Sequence, residues 1–434
     1  MVRAFLSASS RRQKMNKPAL AIRLVITLLA VGICLLGIRS AWRIGASAVL
    51  AKAAVKTLSL EQADLAVATD PSNPDAHSAR GQVLLNLNRF DEAAREFGRA
   101  AALRPRDFFV WLEFGRALDT AGDAKGALEA LKESVRLAPY YSDPRWQYGN
   151  VLFRSGKVEE GFREMRRAAQ SDPTLLPVLT DLVWTVYRGD IGAVRRTLDP
   201  QTTGSKIQLS RFLIKKGKVA EGVELFSEAG ASAEEDKRAI LSDLIAAKRY
   251  REAYNVWSSN GKGERRSDGV GRITDPGFEG DINLKELGFG WQGSPDSAGI
   301  AVSLDQSEPK QGARSLHIQW SGNSNPGTQV ITQTVLVEPA SSYKLTFAVR
   351  AKDVVSGGLP VLVISDASSK DGKVLAKSAP LPVQTEGWLM VEVDFKTNED
   401  TEAVTIGLQR ENCNSSPCPI FGLTWLDDFS LQRG

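Results

Sequence analysis

Histidine and cysteine are scarce in this chain of 434 residues, which contains two histidines and three cysteines. The histidines, His77 and His317, lie in unrelated sequence contexts. This argues against histidine-based catalytic triads and against metal sites with several histidine ligands. The net charge of +4 is too small to indicate a nucleic-acid partner.

Sequence motifs of common enzyme classes are also absent. The phosphate-binding loop, the dinucleotide fingerprint, the nucleophile elbow and H-E-x-x-H do not occur. Adjacent acids such as Asp427 and Asp428 are expected to project to opposite faces of a strand, where they cannot act together as an acid and a base. The sequence therefore predicts a protein that is not an enzyme and requires no cofactor.

One long apolar segment, residues 19–39, follows a basic stretch, residues 1–18. A helix of about 20 residues spans about 30 Å, the thickness of a bilayer core. The sequence therefore predicts a single-pass transmembrane anchor at 19–39, with 1–18 as a cytoplasmic tail and the later residues outside the cytoplasm. A cleaved signal peptide is the alternative, with Gly45–Ala48 as a cleavage site, although the apolar segment exceeds the usual length of about 7–15 residues.

A repeat of 34 residues follows the apolar segment. Proline recurs in this register at Pro71, Pro105, Pro139 and Pro173, and glycine at Gly81, Gly115 and Gly149. The pattern resembles the tetratricopeptide repeat, which implies pairs of antiparallel helices in an all-α solenoid whose groove binds a protein partner. We expect repeats over residues 45–258, with clear units over 74–175 and degenerate ones over 176–258.

The sequence changes character after a linker at residues 259–271, which is rich in glycine and charge. Apolar residues then alternate with polar ones, as at Leu316, Ile318 and Trp320. About eight or nine short strands with intervening turn residues predict an all-β sandwich over residues 272–434.

This segment also resembles the jelly-roll carbohydrate-binding modules, through the order of four stretches: ITDPGFEG, GARSLHIQW, YKLTFAVRA and WLDDFSL. The resemblance implies a structural calcium ion shared by the first and last strands, and Glu279 and Asp428 match the acidic positions of its ligands. Two carboxylates are far fewer than the six to eight oxygen ligands that calcium takes, so backbone carbonyls would supply the rest. Acids that face solvent are the alternative.

The same resemblance implies that exposed tryptophan rings bind sugar. Trp291, in a GFGW loop, and Trp320 are the predicted carbohydrate-binding residues. Trp388 and Trp425 occupy strand starts that pack into the core of this fold. For any one of the four rings, core packing is the alternative.

Two of the three cysteines, Cys413 and Cys418, lie close together before the last predicted strand. Outside the cytoplasm they face an oxidising compartment. Two thiols without a nearby histidine are too few for zinc, and their spacing exceeds that of C-x-x-C redox pairs. We expect a disulfide that closes a short loop and contributes about 2 kcal/mol.

Together these features predict a non-enzymatic scaffold anchored in the bacterial inner membrane, with its folded domains in the periplasm. Its repeats would bind a protein, and its jelly roll a glycan or a second protein, in surface polysaccharide assembly or export. A glycan-processing enzyme with an unrecognised catalytic site and a structural envelope protein without a ligand are the alternatives.

Overall fold

The structure is a computed structural model that describes residues 17–230, 233–259, 269–293, 299–322, 324–413 and 417–434. The described residues form two compact units, one that ends at Asp199 and one that begins at Pro200. The division falls within the predicted repeat region. Most of the predicted linker and of the predicted cytoplasmic tail lies outside the described residues.

The first unit is helical. Its helices are α1 (Lys17–Thr57), α2 (Leu60–Thr69), α3 (Pro74–Asn86), α4 (Phe90–Leu103), α5 (Phe108–Thr120), α6 (Ala124–Leu137), α7 (Ser142–Arg154), α8 (Val158–Ser171), α9 (Leu176–Val186) and α10 (Ile191–Leu198). The first helices of three successive pairs, α3, α5 and α7, begin 34 residues apart, as the repeat predicts. Asn73 and Asp107 cap α3 and α5 by accepting hydrogen bonds from backbone N–H groups of the first turn.

Small residues of the repeat allow the paired helices to approach closely. A Cβ atom at Gly115 would lie 2.5 Å from Leu131 Cγ, and one at Gly161 would lie 2.8 Å from the carbonyl oxygen of Gly149. The glycine register therefore fixes the distance between the helices of a pair.

Helix α1 joins the apolar segment to the repeats without a break. Its segment Ile22–Thr57 contains a stretch that is long and apolar enough to cross a membrane and is not buried by other parts of the protein. Farther along the same helix, Ser47, Ala51 and Ala54 are buried. The predicted anchor and the beginning of the repeat region are therefore one continuous helix.

The second unit begins with four helices and continues into two sheets. The helices are α11 (Thr203–Lys215), α12 (Val219–Glu228), α13 (Glu234–Ala246) and α14 (Tyr250–Ser258). The strands are β1 (Gln292–Gly293), β2 (Ile300–Asp305), β3 (Ser315–Gly322), β4 (Ile331–Leu336), β5 (Ser342–Ser356), β6 (Pro360–Asp366), β7 (Val374–Lys377), β8 (Leu389–Lys396), β9 (Ala403–Arg410) and β10 (Ile420–Arg433).

The strands form two five-stranded antiparallel sheets, with the orders β1-β4-β9-β6-β7 and β2-β3-β10-β5-β8. The apolar core contains the alternate residues of β3, Leu316, Ile318 and Trp320. The two-sheet β region is confirmed. The finer expectation of a carbohydrate-binding jelly roll stays a prediction.

The last helices of the second unit share a core with its sheets. Tyr254 and Trp257 of α14 lie 5.1 and 5.7 Å, between ring centroids, from Phe289 of the segment before β1. The hydroxyl of Tyr250 donates a hydrogen bond to the carbonyl oxygen of Ala367 at 2.7 Å. The helices and the sandwich are therefore packed as one body.

Candidate functional site

A groove of about 460 Å³ opens in the first unit. Helices α1, α3 and α5 supply most of its lining, and α4 supplies Phe97. The residues that line it are Ala48, Ala51, Lys52, Val55, Asp75, Ser78, Ala79, Gln82, Phe97, Phe109, Val110 and Glu113. Its volume is in the range of sites that bind small ligands or single side chains of a partner.

Exposed apolar side chains distinguish this groove. Phe109 of α5 is 55% exposed and Val55 of α1 is 41% exposed, whereas Phe97 is only 2% exposed. Such side chains lie on a concave surface and remain in contact with water. A partner that places an apolar side chain there removes this apolar surface from water, which favours binding.

Two of the three charged residues that line the groove have an ion-pair partner, and the third has none among the residues that the structure describes. Asp75 accepts from Arg104 at 2.9 Å, and Glu113 accepts from Arg116 at 3.0 Å. Lys52 is exposed and makes no ion pair with any residue that the structure describes. The groove can therefore bind an apolar group together with a neighbouring anion.

A second candidate surface lies on the outer face of the sheet β2-β3-β10-β5-β8. Ser303, His317, Trp425 and Arg350 are cross-strand neighbours on β2, β3, β10 and β5. Trp388, just before β8, continues this row, since the guanidinium carbon of Arg350 lies 5.8 Å from its ring centroid and 4.3 Å from that of Trp425. Such cation–π contacts hold the aromatic rings in place.

Two acidic residues, one at the end of β2 and one in the loop after it, accept hydrogen bonds from the indole N–H groups of this row. The indole N–H of Trp425 donates to Asp305 Oδ2 at 2.6 Å, and that of Trp388 donates to the carbonyl oxygen of Glu308 at 3.1 Å. Glu308 also forms an ion pair with Arg350.

The pKa values of one histidine and one aspartate in the row are both lowered, which favours a neutral imidazole and an ionised carboxylate. Burial lowers the pKa of His317. The pKa of Asp305 is lowered, chiefly by the backbone hydrogen bond from Ser307 and also by the one from Trp425. Aromatic faces beside ordered polar groups can bind a sugar ring by stacking and hydrogen bonding.

Comparison with known proteins supports the repeat assignment for part of the chain. Residues 74–107, which contain α3 and α4, match the tetratricopeptide repeat family. No curated protein matches the chain. Helix pairs α5–α6 and α7–α8 keep the same 34-residue spacing.

Several solved structures are similar to parts of the chain. MamA from Desulfovibrio magneticus RS-1, from position 41 to its end, is 18% identical, covers 43% of this chain and 94% of its own, and has a TM-score of 0.29. A MamA RS-1 ArsTM double mutant is 22% identical over 36% of this chain and 93% of its own, with a TM-score of 0.32. YrrB, a tetratricopeptide repeat protein with an unusual peptide-binding site, is 21% identical over 36% of this chain and 81% of its own, with a TM-score of 0.31. TM-scores this low carry no weight for the function of this chain.

The tryptophans predicted to bind sugar are in the core, which corrects that expectation. Trp291 is 5% exposed and packs against Phe278 and Phe429. Trp320 is 2% exposed, and its indole N–H donates to Thr424 Oγ1 at 3.0 Å. Neither ring presents a face on which a sugar could stack.

The two tryptophans expected in the core instead belong to the outer row. Trp388 is half-buried, and Trp425, though 7% exposed, lies beneath Arg350 on the outer face. The alternation of β10 carries a signal for this, because Trp425 has the opposite parity to the core residue Leu426.

The two residues predicted to bind calcium both accept hydrogen bonds, and a calcium site that combines them with backbone carbonyls stays a prediction. Glu279 Oε1 accepts hydrogen bonds from the backbone N–H groups of Ala313 and Arg314, and Asp428 Oδ2 accepts one from Gln311 Nε2. Among the residues that the structure describes, no group of three His, Cys, Asp or Glu side chains is placed to hold a metal ion. These carboxylate oxygens hold the loop before β3 in place.

The expectation for the adjacent acids Asp427 and Asp428 is also corrected. A bulge follows Asp427, and Asp428 has a φ of 54°, so the strict alternation of a strand is interrupted. Both carboxylates consequently accept hydrogen bonds from Gln311. Asp427 is fully buried, and burial raises its pKa.

Cys413 and Cys418 are joined by a disulfide, with their Cα atoms 5.6 Å apart. Arg410, which sequence analysis did not single out, is 2% exposed and donates to the carbonyl oxygens of Ser324 and Cys418, each at 2.8 Å. Burial lowers the pKa of Arg410. The loop residues 414–416 lie outside the described residues.

Proposed function

We propose that the protein is a non-enzymatic scaffold of the bacterial cell envelope, anchored in the inner membrane by α1 with its folded units in the periplasm. The groove between α1, α3 and α5 binds a segment of a partner protein. The observation that carries this proposal is the exposure of Phe109 and Val55 inside a groove built by repeat helices. Scaffolding of surface polysaccharide assembly or export is the setting we propose for it.

Co-purification from native membranes tests the groove. We expect Phe109→Ser to reduce the recovery of a specific partner by at least about tenfold, because loss of an aromatic hot spot costs about 2 kcal/mol or more. Leu103→Ser is the matched control, since Leu103 is 44% exposed on α4 and does not line the groove. Equal recovery with both variants would contradict the proposal.

The outer face of the second unit is the candidate for a glycan. The row favours this ligand, because the half-buried ring of Trp388 lies beside polar groups that are held in place around Arg350. We expect binding on a glycan array to be lost in Trp388→Ala and kept in Tyr140→Ala, which removes an 86% exposed ring of the first unit. Binding that survives Trp388→Ala would exclude this row as the site.

A glycan-processing enzyme remains the alternative function. Incubation of the whole chain with the glycans that it binds, followed by product analysis, tests this alternative. Turnover that requires the row residues would replace the scaffold proposal.

A further inference from the structure

The geometry points to the class of partner that the groove binds. Given the proposed anchoring and groove, we propose that the occupant is the juxtamembrane segment of a second integral membrane protein. This segment is extended and carries an acidic side chain next to an apolar one.

One helix forms both the membrane anchor and a wall of the groove. Helix α1 runs without interruption from Lys17 to Thr57, and its residues Ala48, Ala51, Lys52 and Val55 line the groove. The predicted anchor ends at residue 39, so these groove residues follow its end by about 9–16 positions, or about 14–24 Å along the helix axis. A tilt of the helix only reduces this height above the membrane.

Specific contacts hold the lower part of α1 against the repeats. Arg43 Nε donates to the carbonyl oxygen of Thr69 at 3.0 Å, and the buried Ser47 hydroxyl donates to that of Ala66 at 2.8 Å. The side-chain amide of Asn73 donates to the same hydroxyl at 3.0 Å. Helix α1 continues from the predicted anchor to the groove without a break, so the length of the helix sets an upper limit on the height of the groove.

The height of the groove above the membrane determines how many residues a membrane-bound partner needs to reach it. An extended chain advances about 3.3 Å per residue, so a segment that leaves its own transmembrane span reaches the groove within about four to eight residues. Such a segment meets the groove at a high effective concentration in the plane of the membrane.

The side chains of the groove specify the chemistry of the occupant. Phe109 and Val55 provide exposed apolar surface, and Lys52 is the groove charge that the described residues leave uncompensated. Charge complementarity therefore favours an Asp or Glu beside the apolar side chain that enters the groove.

Photo-crosslinking of the whole chain in native membranes tests the proposal. A benzophenone amino acid replaces Phe109, or Tyr140 as a control, and the cross-linked peptide is identified by mass spectrometry. We expect a product specific to position 109 that maps within about eight residues of a transmembrane span of another protein. A product from a soluble protein, or from a second copy of this chain, overturns the proposal but leaves a protein-binding groove intact. Equal products at both positions overturn the groove itself.

A change of height provides a second test. An insertion of about seven helical residues between Ser40 and Ala41 raises the groove by about 10 Å and almost preserves its orientation. We expect the yield of the specific cross-link to fall by at least about tenfold, because the segment no longer reaches. The length-preserving variant Arg39→Ala/Ser40→Ala should keep the yield. An unchanged yield with the insertion overturns the juxtamembrane assignment.

Charge reversal tests the chemistry of the occupant in the same assay. Lys52→Glu should lower the cross-link yield by about tenfold, because it places two like charges in contact. Lys125→Glu, on α6 and outside the groove, makes the same charge change and should have no effect. Equal yields from the two variants would contradict an acidic occupant.

Discussion

His77 lies between two hydrogen-bond acceptors in the first unit. It is 4% exposed, with Nδ1 2.7 Å from Glu96 Oε2 and Nε2 2.9 Å from the carbonyl oxygen of Pro71. Because a carboxylate and a carbonyl group only accept, both ring nitrogens donate and the ring is an imidazolium. The hydrogen bond to Glu96 raises the pKa of His77 against the opposing effect of burial.

Two arginines join His77 and Glu96 in one charged cluster. Glu96 Oε1 accepts from Arg80 at 2.7 Å and from Arg99 at 2.6 Å, and Arg80 also binds Asp64. Burial acts to raise the pKa of Glu96, but the hydrogen bond from His77 and the nearby arginines outweigh it, so this pKa is lowered. The cluster is therefore a network of three cations and two carboxylates within the repeats.

The cluster predicts how the stability of the first unit depends on pH. The contribution of His77 is full below its ordinary pKa of 6.5 and is lost as pH rises through the raised pKa of the folded state. The contribution of Glu96 to stability is full above its ordinary pKa of 4.5 and is lost as pH falls through the lowered pKa of the folded state. We expect the unfolding temperature of this unit to be highest between these pH values.

Thermal unfolding followed by circular dichroism at several pH values checks this expectation. His77→Gln should reduce the fall in unfolding temperature that accompanies rising pH. His317→Gln, which removes a histidine whose pKa is lowered by burial, should leave that decline in place. An equal decline in wild type and His77→Gln would contradict the role of His77.

At the scale of elements, the contact between α7 and α8 depends on two glycines. A Cβ atom at Gly161 would lie 2.8 Å from the carbonyl oxygen of Gly149 and 2.9 Å from the backbone nitrogen of Phe153. Backbone atoms cannot move aside without separating the helices. We expect Gly161→Ala to lower the free energy of unfolding by about 1–3 kcal/mol.

Chemical denaturation measures this loss, with Gly45→Ala as the matched control. A Cβ atom at Gly45 meets nothing within 4 Å. Alanine has the higher helix propensity, so this variant should be neutral or stabilising by up to about 1 kcal/mol. Equal effects at Gly45 and Gly161 would show that propensity alone, and not helix contact, governs both positions.

Helix α1 also bears on the alternative of a cleaved signal peptide. Ser47 is fully buried and makes two side-chain hydrogen bonds, to Ala66 and Asn73. Cleavage after Ala48 would remove this residue and open the first helix contact of the repeats. We expect the intact mass of the protein purified from its membrane to include the apolar segment. A mature N-terminus within residues 46–49 would contradict the uncleaved anchor.

The sequence specified the repeats more fully than the sheet face. The 34-residue register was readable because glycines such as Gly115 make local contacts that repeat along the chain. Alternation along β10 places Trp425 and Leu426 on opposite faces, but which of these faces is the core depends on the distant strands that pack against it. The bulge after Asp427 adds a local change of register that alternation does not predict.

At the scale of the whole molecule, the helices of the second unit share an apolar cluster with residues of its β region. Tyr250, Tyr254 and Trp257 belong to the same apolar cluster as Phe289 and Leu336. Arg251 also donates to Glu338 at 3.2 Å. A boundary at the linker was expected because composition changes there. The packing across it joins residues that are far apart in sequence and leave no local signal.

This packing predicts how fragments of the chain behave. Residues 200–434 should unfold in one cooperative transition. Residues 272–434, which lack α11–α14, should be less stable by at least about 3 kcal/mol, because Phe289 and Leu336 lose their apolar cover. Tyr250→Phe in the longer fragment removes the hydrogen bond to Ala367 and a long one from Lys248, and it should cost about 1 kcal/mol. Urea unfolding and the binding of a hydrophobic dye distinguish these cases. Equal urea midpoints for the two fragments, with no dye bound by the shorter one, would show that the sandwich is stable without its helices.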